Sequence, residues 1–370
     1  MFKIIKKSKK TNSRLGVLTT ASGRVDTPFF MPIATKAAIK SLTVAEVRDL
    51  GAQIILSNTY HNYLRPGIST IKKFGGLREF MNSDLPILTD SGGYQVFSLS
   101  NLRKIKGDNI EFRSHIDGSL QILNPKKVID IQVALGSDIM MVLDECVGLP
   151  TTKAKAEQAL NRTHHWAKMA IDYKNKLDKK SVKIRKQLLF GIVQGADFKD
   201  LRLQSVEYLS GLGFDGLAIG GLAVGESMKT MYGVLNYTAS ALPENKPHYL
   251  MGVGYPENII EAVKQGIDMF DCVIPTREAR HGKLYLWNGQ ANILKKNFYK
   301  TVVITNAKFA NDRSPINSGH PLLRQYSKAY LHHLFKTQEP LALRLATLNN
   351  LKFYLDLMTE IRVAIKKGKL

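Results

Sequence analysis

Short apolar segments alternate with amphipathic segments between residues 15 and 274 of this chain. Most of the apolar segments are continuous rather than alternating in polarity, which is typical of strands covered by helices on both faces. The predicted strands are LGVLTT (15–20), GAQIILSNTY (51–60), LPILTDSGG (85–93), GSDIMMVLDE (136–145), QLLFGIVQG (187–195), GFDGLAIGG (213–221), HYLMGVG (248–254) and GIDMFDCVI (266–274).

Helical patterns lie between these strands, as in PKKVIDIQVAL (125–135) and KDLRLQSVEYLSGL (199–212). The Lys-rich segment 160–187 is predicted to be an exposed outer helix. Repeated βα units of this kind predict an α/β fold, a (β/α)8 TIM barrel whose active site lies at the carboxyl ends of its strands. A doubly wound open sheet stays open as the alternative, because the sequence does not show whether the sheet closes.

The βα pattern ends at about residue 285. The segments HPLLRQYSKAYLHHLFK and LALRLATLNNLKFYLDLMTEIRVAIKKGKL predict two amphipathic helices and a basic tail. We therefore expect a barrel core over 1–284, followed over 285–370 by a small C-terminal insertion and closing helices.

The charge of the chain indicates its class of partner. The 370 residues include 53 Lys and Arg against 31 Asp and Glu, which gives a net charge of +22 and a pI near 9.8. Such an excess favours a polyanion, with nucleic acid first, and a generally basic proteome is the less favoured alternative. No apolar run approaches the ~20 residues that span a membrane. The two cysteines, Cys146 and Cys272, suit a reducing compartment, so we expect a cytoplasmic protein without a membrane segment.

Three aspartates stand where predicted strands end, at Asp90, Asp144 and Asp271. A carboxylate that directly follows buried apolar residues is unfavourable unless it is paired or hydrogen-bonded. In a barrel all three would meet at one rim, together with Asn58, Gln194 and Gly221. This pattern favours an enzyme.

The motif DSGGYQVFSLS (90–100) places two glycines and an aromatic residue after the first of these carboxylates. Glycines allow the backbone to approach a ligand closely, and Tyr94 is able to stack on a planar ring. The alternative has Asp90 as a helix N-cap and Tyr94 in the core.

Glycine-rich turns follow three later strands. In GIVQGADFKDLR (191–202) and GLAIGGLAVGE (216–226), Gln194 and backbone groups are candidates for reading the edge of a heterocycle, and tight turns without a ligand are the alternative. The segment MGVGYPE (251–257) contains G-x-G without the third glycine of a dinucleotide site, so we expect no nicotinamide cofactor.

The segment FDCVIPTREAR (270–280) is the most specific of the motifs. Asp271 ends a strand, and Pro275 is expected to prevent a helix nearby. Arg277 and Arg280 offer donors suited to phosphates or base edges. The alternative is a structural Asp–Arg pair on a loop.

The motifs DSGGYQVFSL, DEC, GIVQG, GLAVGE, MGVG and GIDMFDCVIPTR, in this order and spacing, resemble the tRNA-guanine transglycosylases from about residue 14 to 360. The resemblance implies a (β/α)8 barrel with a small C-terminal insertion. It also implies an enzyme of the bacterial type, which exchanges guanine at the wobble position of tRNAs with a GUN anticodon for the base preQ1 in queuosine biosynthesis.

The resemblance also implies roles for individual residues. Asp271 would be the nucleophile and Asp90 the general acid/base. Tyr94 would stack on the base, and Met251 would close its other face. The remaining implied base contacts are Ser91, Asp144, Cys146, Gln194, Gly221, Leu222 and Val224, and the implied tRNA contacts are Arg277 and Arg280.

The expected chemistry agrees with two carboxylates in different roles. Base exchange at the ribose C1′ retains the β configuration, which requires two inversions and a covalent intermediate, as in retaining glycosidases. One carboxylate attacks while the other moves a proton between the departing and incoming bases. No redox or nucleotide cofactor is required.

The chain departs from the resemblance at the usual zinc site. The family's three cysteines and one histidine correspond here to Ser318, His320, Leu323 and Asn349, so we predict no zinc. An apolar plug of Ile316, Leu322 and Leu323 is the expected replacement, and the adjacent His332 and His333 are expected to be structural. The same region would contribute to tRNA docking and to a homodimer.

Two other classes of function remain open from the sequence. One is a non-catalytic tRNA-binding paralogue or a partner subunit. The other is a transglycosylase of altered base or RNA specificity. Retention of both Asp90 and Asp271 favours the catalytic function over the first of these.

Overall fold

Parallel strands form a sheet that closes into a barrel. The strand order is β4-β15-β14-β13-β12-β11-β7-β6-β5, and only Pro32 separates β4 from β5 in the chain. The ends of the sheet are therefore one continuous segment, which confirms the barrel and excludes the open sheet. The structure is a computed structural model that describes residues 1–99, 103–180 and 187–370.

The strands follow one another along the chain with these bounds: β1 (Phe2–Lys7), β2 (Arg14–Thr19), β3 (Arg24–Thr27), β4 (Phe29–Met31), β5 (Ile33–Ala34), β6 (Ile55–Ser57), β7 (Ile87–Thr89), β8 (Lys104–Lys106), β9 (Asn109–Arg113), β10 (Leu120–Leu123), β11 (Ile139–Met141), β12 (Leu188–Val193), β13 (Gly216–Ile219), β14 (His248–Leu250), β15 (Met269–Asp271), β16 (Lys283–Trp287) and β17 (Tyr299–Val303).

The helices alternate with the barrel strands and then close the chain: α1 (Val44–Asp49), α2 (Thr59–Asn62), α3 (Ile68–Lys73), α4 (Leu77–Met81), α5 (Gly93–Leu99), α6 (Pro125–Leu135), α7 (Lys153–Lys180), α8 (Lys199–Gly211), α9 (Met228–Ala239), α10 (Pro256–Lys264), α11 (Ile274–Arg280), α12 (Lys328–Lys336) and α13 (Pro340–Lys366). A π-helical turn covers Tyr63–Gly67, and short 3-10 turns lie at Ala307–Phe309 and Leu323–Gln325.

One predicted barrel strand lies elsewhere. The segment LGVLTT is a strand, β2, but it pairs antiparallel with β1 and β3 in a separate sheet. This sheet lies at the amino ends of the barrel strands, where Asn12 N donates to Lys264 O and Arg14 binds Asp268. The vacant barrel position is filled by β4 and β5, whose brevity and central Pro32 conceal them in the sequence.

Large and small side chains fill the barrel together. Strand β12 is buried at every position, and its Phe190 lies opposite Gly216 of β13. A Cβ atom at Gly216 would lie 2.4 Å from the ring of Phe190, so only glycine accommodates that ring. The side chains of these strands form a packed core, as in other barrels of this kind.

The outer helices agree with their predicted positions. Helix α7 starts seven residues before the predicted 160 and buries one face, which includes Leu160 and Trp166, while residues 181–186 of that prediction lie outside the described residues. The two predicted C-terminal helices are α12 and α13, and α13 packs against α11, β16 and β4. Among the described residues, none of the helices combines the length and apolar character required to cross a bilayer.

Candidate active site at the carboxyl ends of the barrel strands

The three predicted carboxylates meet at one rim of the barrel. Asp90 follows β7, Asp144 follows β11, and Asp271 is the last residue of β15. All three are buried, with 7% to 9% of their surface exposed. Their charges influence one another, because Asp271 raises the pKa of Asp90 and Asp90 raises that of Asp144. The structure therefore brings these three side chains together at one rim of the barrel.

Asp90 is held by uncharged donors. Its carboxylate accepts hydrogen bonds from the Asn58 amide, from Thr59 N at 2.8 Å and from Gln95 Nε2 at 2.8 Å. Burial, with a smaller contribution from Asp271, raises its pKa to about 6, although those three donors oppose the shift. A carboxyl group with this pKa is able both to give and to take a proton near neutral pH.

Asp271 is held on one oxygen only. Tyr249 Oη donates to Oδ1 at 2.6 Å, and Gly252 N donates to the same atom at 2.8 Å. Among the described residues, no donor contacts Oδ2. Burial raises the pKa of Asp271, and the two donors counteract that rise. The arrangement fixes the carboxylate while leaving one oxygen able to form a bond.

Asp144 forms a pair with Gln194 across the rim. Gln194 Nε2 donates to Asp144 Oδ2 at 2.7 Å, which orients the amide oxygen of Gln194 away from this carboxylate. Burial and the charge of Asp90 raise the pKa of Asp144 to about 6, against the effects of Gln194 and Ser91. An acceptor and an amide side by side are suited to reading a base edge.

Backbone turns with glycines close the site around this pair. A Cβ atom at Gly220 would lie 2.8 Å from Gln194 Nε2, and one at Gly221 would lie 2.5 Å from Gln194 Oε1. Beyond them, Ala223 N and Val224 N donate to the carboxylate of Glu226. The glycines therefore make room for the Gln194 amide, and Glu226 holds the rest of the loop.

Tyr94 lies at the mouth of the site on the first turn of α5. Its side chain is 56% exposed, so the alternative that places it in the core is wrong. The carboxylate of Asp90 does not cap α5 either, because it accepts from Thr59 N at the start of α2. Ser91 instead accepts from Gly93 N within the turn. An exposed ring beside buried carboxylates is suited to stacking on a base.

The remaining predicted base contacts follow neighbouring strands. Met251 comes directly after β14 and is half-buried, and Val224 is half-buried in the turn after β13, next to buried Leu222. Cys146 is also half-buried, and burial raises the pKa of its thiol to about 12, so it is neutral at physiological pH. These side chains supply apolar and weakly polar surface rather than charge.

Arg277 and Arg280 lie on helix α11 and not on a loop. Pro275 occupies the first turn of that helix, where its missing N–H is tolerated, so the expectation that it prevents a helix is wrong. The alternative of a structural Asp–Arg pair is also wrong, because Asp271 bonds to Tyr249 and Gly252. Arg277 is exposed, and half-buried Arg280 donates to Thr276 O.

Sequence reasoning missed four residues that shape the site, namely Gln95, Arg202, Tyr249 and Glu226. Tyr249 lies two residues before Met251 in HYLMGVG, and strand alternation was the available signal for it. Arg202 ends the motif GIVQGADFKDLR, yet no local pattern marks it as buried. Tyr249 and Arg202 act through contacts to neighbouring strands or their turns, whereas Gln95 and Glu226 bind groups only a few residues away in the chain.

The four positions of the zinc site described above do not form a donor set for zinc. Ser318 is exposed, Leu323 is fully buried, and Asn349 is a buried amide bonded to Asn317 Nδ2 and Tyr285 O. His320 is the one metal-binding side chain of the four. Within residues 1–99, 103–180 and 187–370, no three His, Cys, Asp or Glu side chains are grouped to hold a metal ion.

The predicted apolar plug and the two histidines are both present. Ile316 and Leu323 are buried, with half-buried Leu322 packed against the same cluster. His332 is buried and bonds Ile304 O through Nδ1 at 2.8 Å, whereas His333 is exposed. The burial of Ile316, Leu323 and His332 agrees with a structural role for these residues, and that of His333 stays a prediction.

Comparison with known proteins gives one consistent result. The family model for queuine tRNA-ribosyltransferase matches residues 9–370. The chain is 48% identical over 371 residues to the queuine tRNA-ribosyltransferase of Thermoanaerobacter pseudethanolicus, covering 100% of this chain and 94% of the relative. The enzymes of the same name from Dictyoglomus turgidum and Halothermothrix orenii are 48% and 47% identical, with 100% of this chain and 92% and 94% of those relatives covered.

Proposed function

The chain belongs to the queuine tRNA-ribosyltransferase family, and from that premise we propose that it exchanges guanine in tRNA for another base as a step of queuosine biosynthesis. It is a transferase of the tRNA-guanine transglycosylase class. The observation that carries the proposal is the pair of buried carboxylates, Asp90 and Asp271, which share one site but are held by different sets of donors.

The two carboxylates divide the reaction between them. Asp271 Oδ2 attacks the ribose C1′, the C1′–base bond breaks, and protonated Asp90 gives its proton to the departing guanine. The ionised Asp90 then takes a proton from the incoming base, whose nitrogen attacks C1′ and releases Asp271. Asp271 suits attack because its other oxygen is fixed by Tyr249 and Gly252. Asp90 suits proton transfer because its pKa is raised to about 6.

Residues that follow the neighbouring strands would recognise the base. Asp144 would accept from N1–H and the exocyclic amine of guanine, and Gln194 would contact the same edge beside the backbone of Gly221 and Leu222. Tyr94 would cover one face of the base and Met251 the other. Ser91 would hold Asp144, which it contacts.

The incoming base is proposed to be preQ1. Half-buried Cys146 and Val224 are uncharged, which suits such a base, and the resemblance implies that the Leu222 backbone would contact it. Competition between preQ1 and guanine for incorporation tests this choice. A lower apparent KM for preQ1 supports it, and a base with no advantage over guanine indicates the altered specificity considered above.

The tRNA is proposed to dock across α11 at the rim. Exposed Arg277 and half-buried Arg280 lie on the helix that directly follows Asp271. The wobble guanine of a GUN anticodon would leave its stack to reach the carboxylates. Replacing Arg277 with Ala should weaken tRNA binding and reduce its salt dependence, while affinity for the free base stays unchanged.

We also propose a homodimer in the cytoplasm. Two pairs of partly exposed rings offer apolar surface: Phe74, 56% exposed, packs edge-to-face on Phe80, and Tyr330, 39% exposed, stacks on Tyr326. Sedimentation of the protein and of a Tyr330→Glu variant tests the dimer. A wild-type monomer would reject it.

The region after residue 284 is proposed to fold without zinc, as a unit distinct from the 1–284 barrel core. The support is the donor set, in which a leucine and a hydrogen-bonded asparagine stand at two of the four positions. Purified, undepleted protein should contain no stoichiometric zinc, and EDTA should leave its melting temperature unchanged. One zinc per chain would reject this proposal.

Incorporation of labelled guanine into a tRNA with a GUN anticodon tests the function. We expect label to enter the RNA with wild-type protein and to be lost with Asp271→Asn. Binding of that tRNA without incorporation would favour a non-catalytic tRNA-binding protein or a partner subunit.

A further inference from the structure

Arg202 is a buried cation whose bonding partners are all backbone carbonyls. Its side chain is fully buried. Nε donates to Ala196 O at 2.8 Å, Nη1 to Val193 O at 3.0 Å and Gly220 O at 2.7 Å, and Nη2 to Gly221 O at 3.2 Å. Among the described residues, no carboxylate forms a salt bridge with it. Burying a charge in this way is unfavourable, so a purely structural role could be filled by an uncharged residue.

The carbonyls belong to the two turns that carry the base-reading groups. Val193 ends β12 and Ala196 lies in the turn that follows it, on either side of Gln194, while Gly220 and Gly221 follow β13. The guanidinium therefore ties the ends of β12 and β13 together close to Gln194. Its planar fork of five donors is able to reach carbonyls in several directions at once, whereas a lysine concentrates three donors on one nitrogen.

The bonds from Arg202 to two carbonyls also fix the direction of the N–H groups in the same peptides. In a trans peptide the C=O of one residue and the N–H of the next point in opposite directions. Because Gly220 O and Gly221 O face Arg202, the N–H groups of Gly221 and Leu222 face away from it. Within the described residues neither N–H has an acceptor, whereas the next two N–H groups bind Glu226.

The free N–H groups lie beside the base-reading amide. A Cβ atom at Gly221 would lie 2.5 Å from Gln194 Oε1 and 3.4 Å from Arg202 Nη2, so both side chains pack closely against this glycine. Guanine presents both donors and the acceptor O6 along one edge. Asp144 is an acceptor for the donors, and the two N–H groups are donors suited to O6.

We propose that Arg202 is a positioning residue for base selection: it holds the peptides after Gly220 and Gly221 so that their N–H groups bind the acceptor oxygen of the purine. This inference rests on the proposed function, since it assumes that a purine occupies the site. Arg202 itself touches neither base nor ribose.

The test compares two bases and four proteins by equilibrium binding. Guanine and 6-thioguanine share their N1–H and amino donors, but 6-thioguanine replaces O6 with sulfur, a weak acceptor. The proteins are wild type, Arg202→Met, Arg202→Lys and the control Arg362→Met. Arg362 also donates to a backbone carbonyl, Pro28 O at 2.8 Å, but at the opposite end of the barrel.

Wild type should prefer guanine, and Arg202→Met should lose about tenfold or more of that preference, while Arg362→Met keeps it. Arg202→Lys should lie between wild type and Arg202→Met. An unchanged preference in Arg202→Met, with both bases weakened equally, would reduce Arg202 to a structural residue and overturn the inference. If Arg202→Met does not fold, Arg202→Lys decides by the same criterion.

The result separates this inference from the proposed function. Wild-type protein that neither binds guanine nor incorporates it would contradict the proposed function. Wild-type protein that exchanges guanine, with a preference that Arg202 variants do not alter, would contradict the role of Arg202 alone.

Discussion

The two ends of the barrel treat buried charge in opposite ways. At the amino ends, Asp268 is fully buried and binds Arg14 through both oxygens, with Nε at 3.0 Å and Nη2 at 2.6 Å. At the carboxyl ends, Asp90, Asp144 and Asp271 accept hydrogen bonds from uncharged groups, and no salt bridge reaches them within the described part of the chain. Among the described residues, a guanidinium thus neutralises Asp268, whereas the three rim carboxylates have uncharged partners.

The difference separates stability from chemistry. A carboxylate in a buried ion pair is held by its counter-ion and is not available for catalysis. Burial without a counter-ion instead raises the pKa of all three rim carboxyl groups. Arg202 repeats the pattern with the opposite sign, because it binds carbonyls and no carboxylate. Uncompensated groups gathered at one end of a barrel indicate a functional site.

The largest expected effect is at Asp271. Asp271→Asn should reduce base exchange by about 10⁴-fold or more, because the nucleophile is removed. The stability of this variant at pH 7 should not fall. Folding raises the pKa of Asp271, so its ionised carboxylate destabilises the folded state at every pH above the pKa of an unfolded aspartate, and asparagine removes that charge. Single-turnover kinetics and chemical denaturation measure the two quantities. A variant with near wild-type exchange would contradict the assignment.

The corresponding change at the amino ends of the strands, Asp268→Asn, should lower stability and leave base exchange nearly unchanged. Asp268→Asn leaves the buried Arg14 guanidinium without its counter-ion and should lower the free energy of unfolding by about 3–5 kcal/mol. Exchange measured well below the melting temperature should stay close to wild type. A loss of base exchange in Asp268→Asn without a loss of stability would contradict the contrast between a structural amino end and a catalytic carboxyl end.

A smaller effect is expected at Tyr249, which stabilises the ionised form of Asp271. Tyr249→Phe removes that donor, so the pKa of Asp271 should rise further and the acidic limb of the exchange rate should move about one pH unit or more to higher pH. The rate at high pH should recover. A uniformly lower rate with an unshifted profile would show that Tyr249 acts in another way.

The smallest effect concerns base binding by Asp144, whose pKa is raised to about 6. The ionised form accepts from the base, so affinity for free guanine should fall about tenfold between pH 7 and pH 5. Asp144→Asn should bind weakly at both values and abolish this dependence, which separates Asp144 from Asp90. Titrations of wild type that show equal affinity at both pH values would contradict this role.

The sequence predicts the barrel and its three carboxylates because both are local features. Apolar runs identify strands, and Asp90, Asp144 and Asp271 follow such runs directly. The strand segment Phe29–Ala34 is not predicted because a proline divides it. The regular segment LGVLTT is assigned to the barrel in its place. Helix α11 is not predicted because Pro275 is expected to prevent a helix, whereas proline is tolerated in the first turn of one.

The donors around the carboxylates depend on which strands are neighbours. Tyr249 reaches Asp271 because β14 lies beside β15, and Arg202 reaches Gly220 because α8 packs against β12, the neighbour of β13. Such pairings are set by closure of the sheet, which no local pattern encodes. The division of the chain at residue 284 stays a prediction.

Mapping the covalent intermediate tests the division of roles most directly. Wild-type protein would be incubated with tRNA carrying a GUN anticodon, quenched in acid and digested, and the peptide that carries ribose would be sequenced by mass spectrometry. We predict attachment at Asp271, with a marked loss of adduct in Asp271→Asn. Attachment at Asp90, or an adduct that persists in Asp271→Asn, would contradict the account.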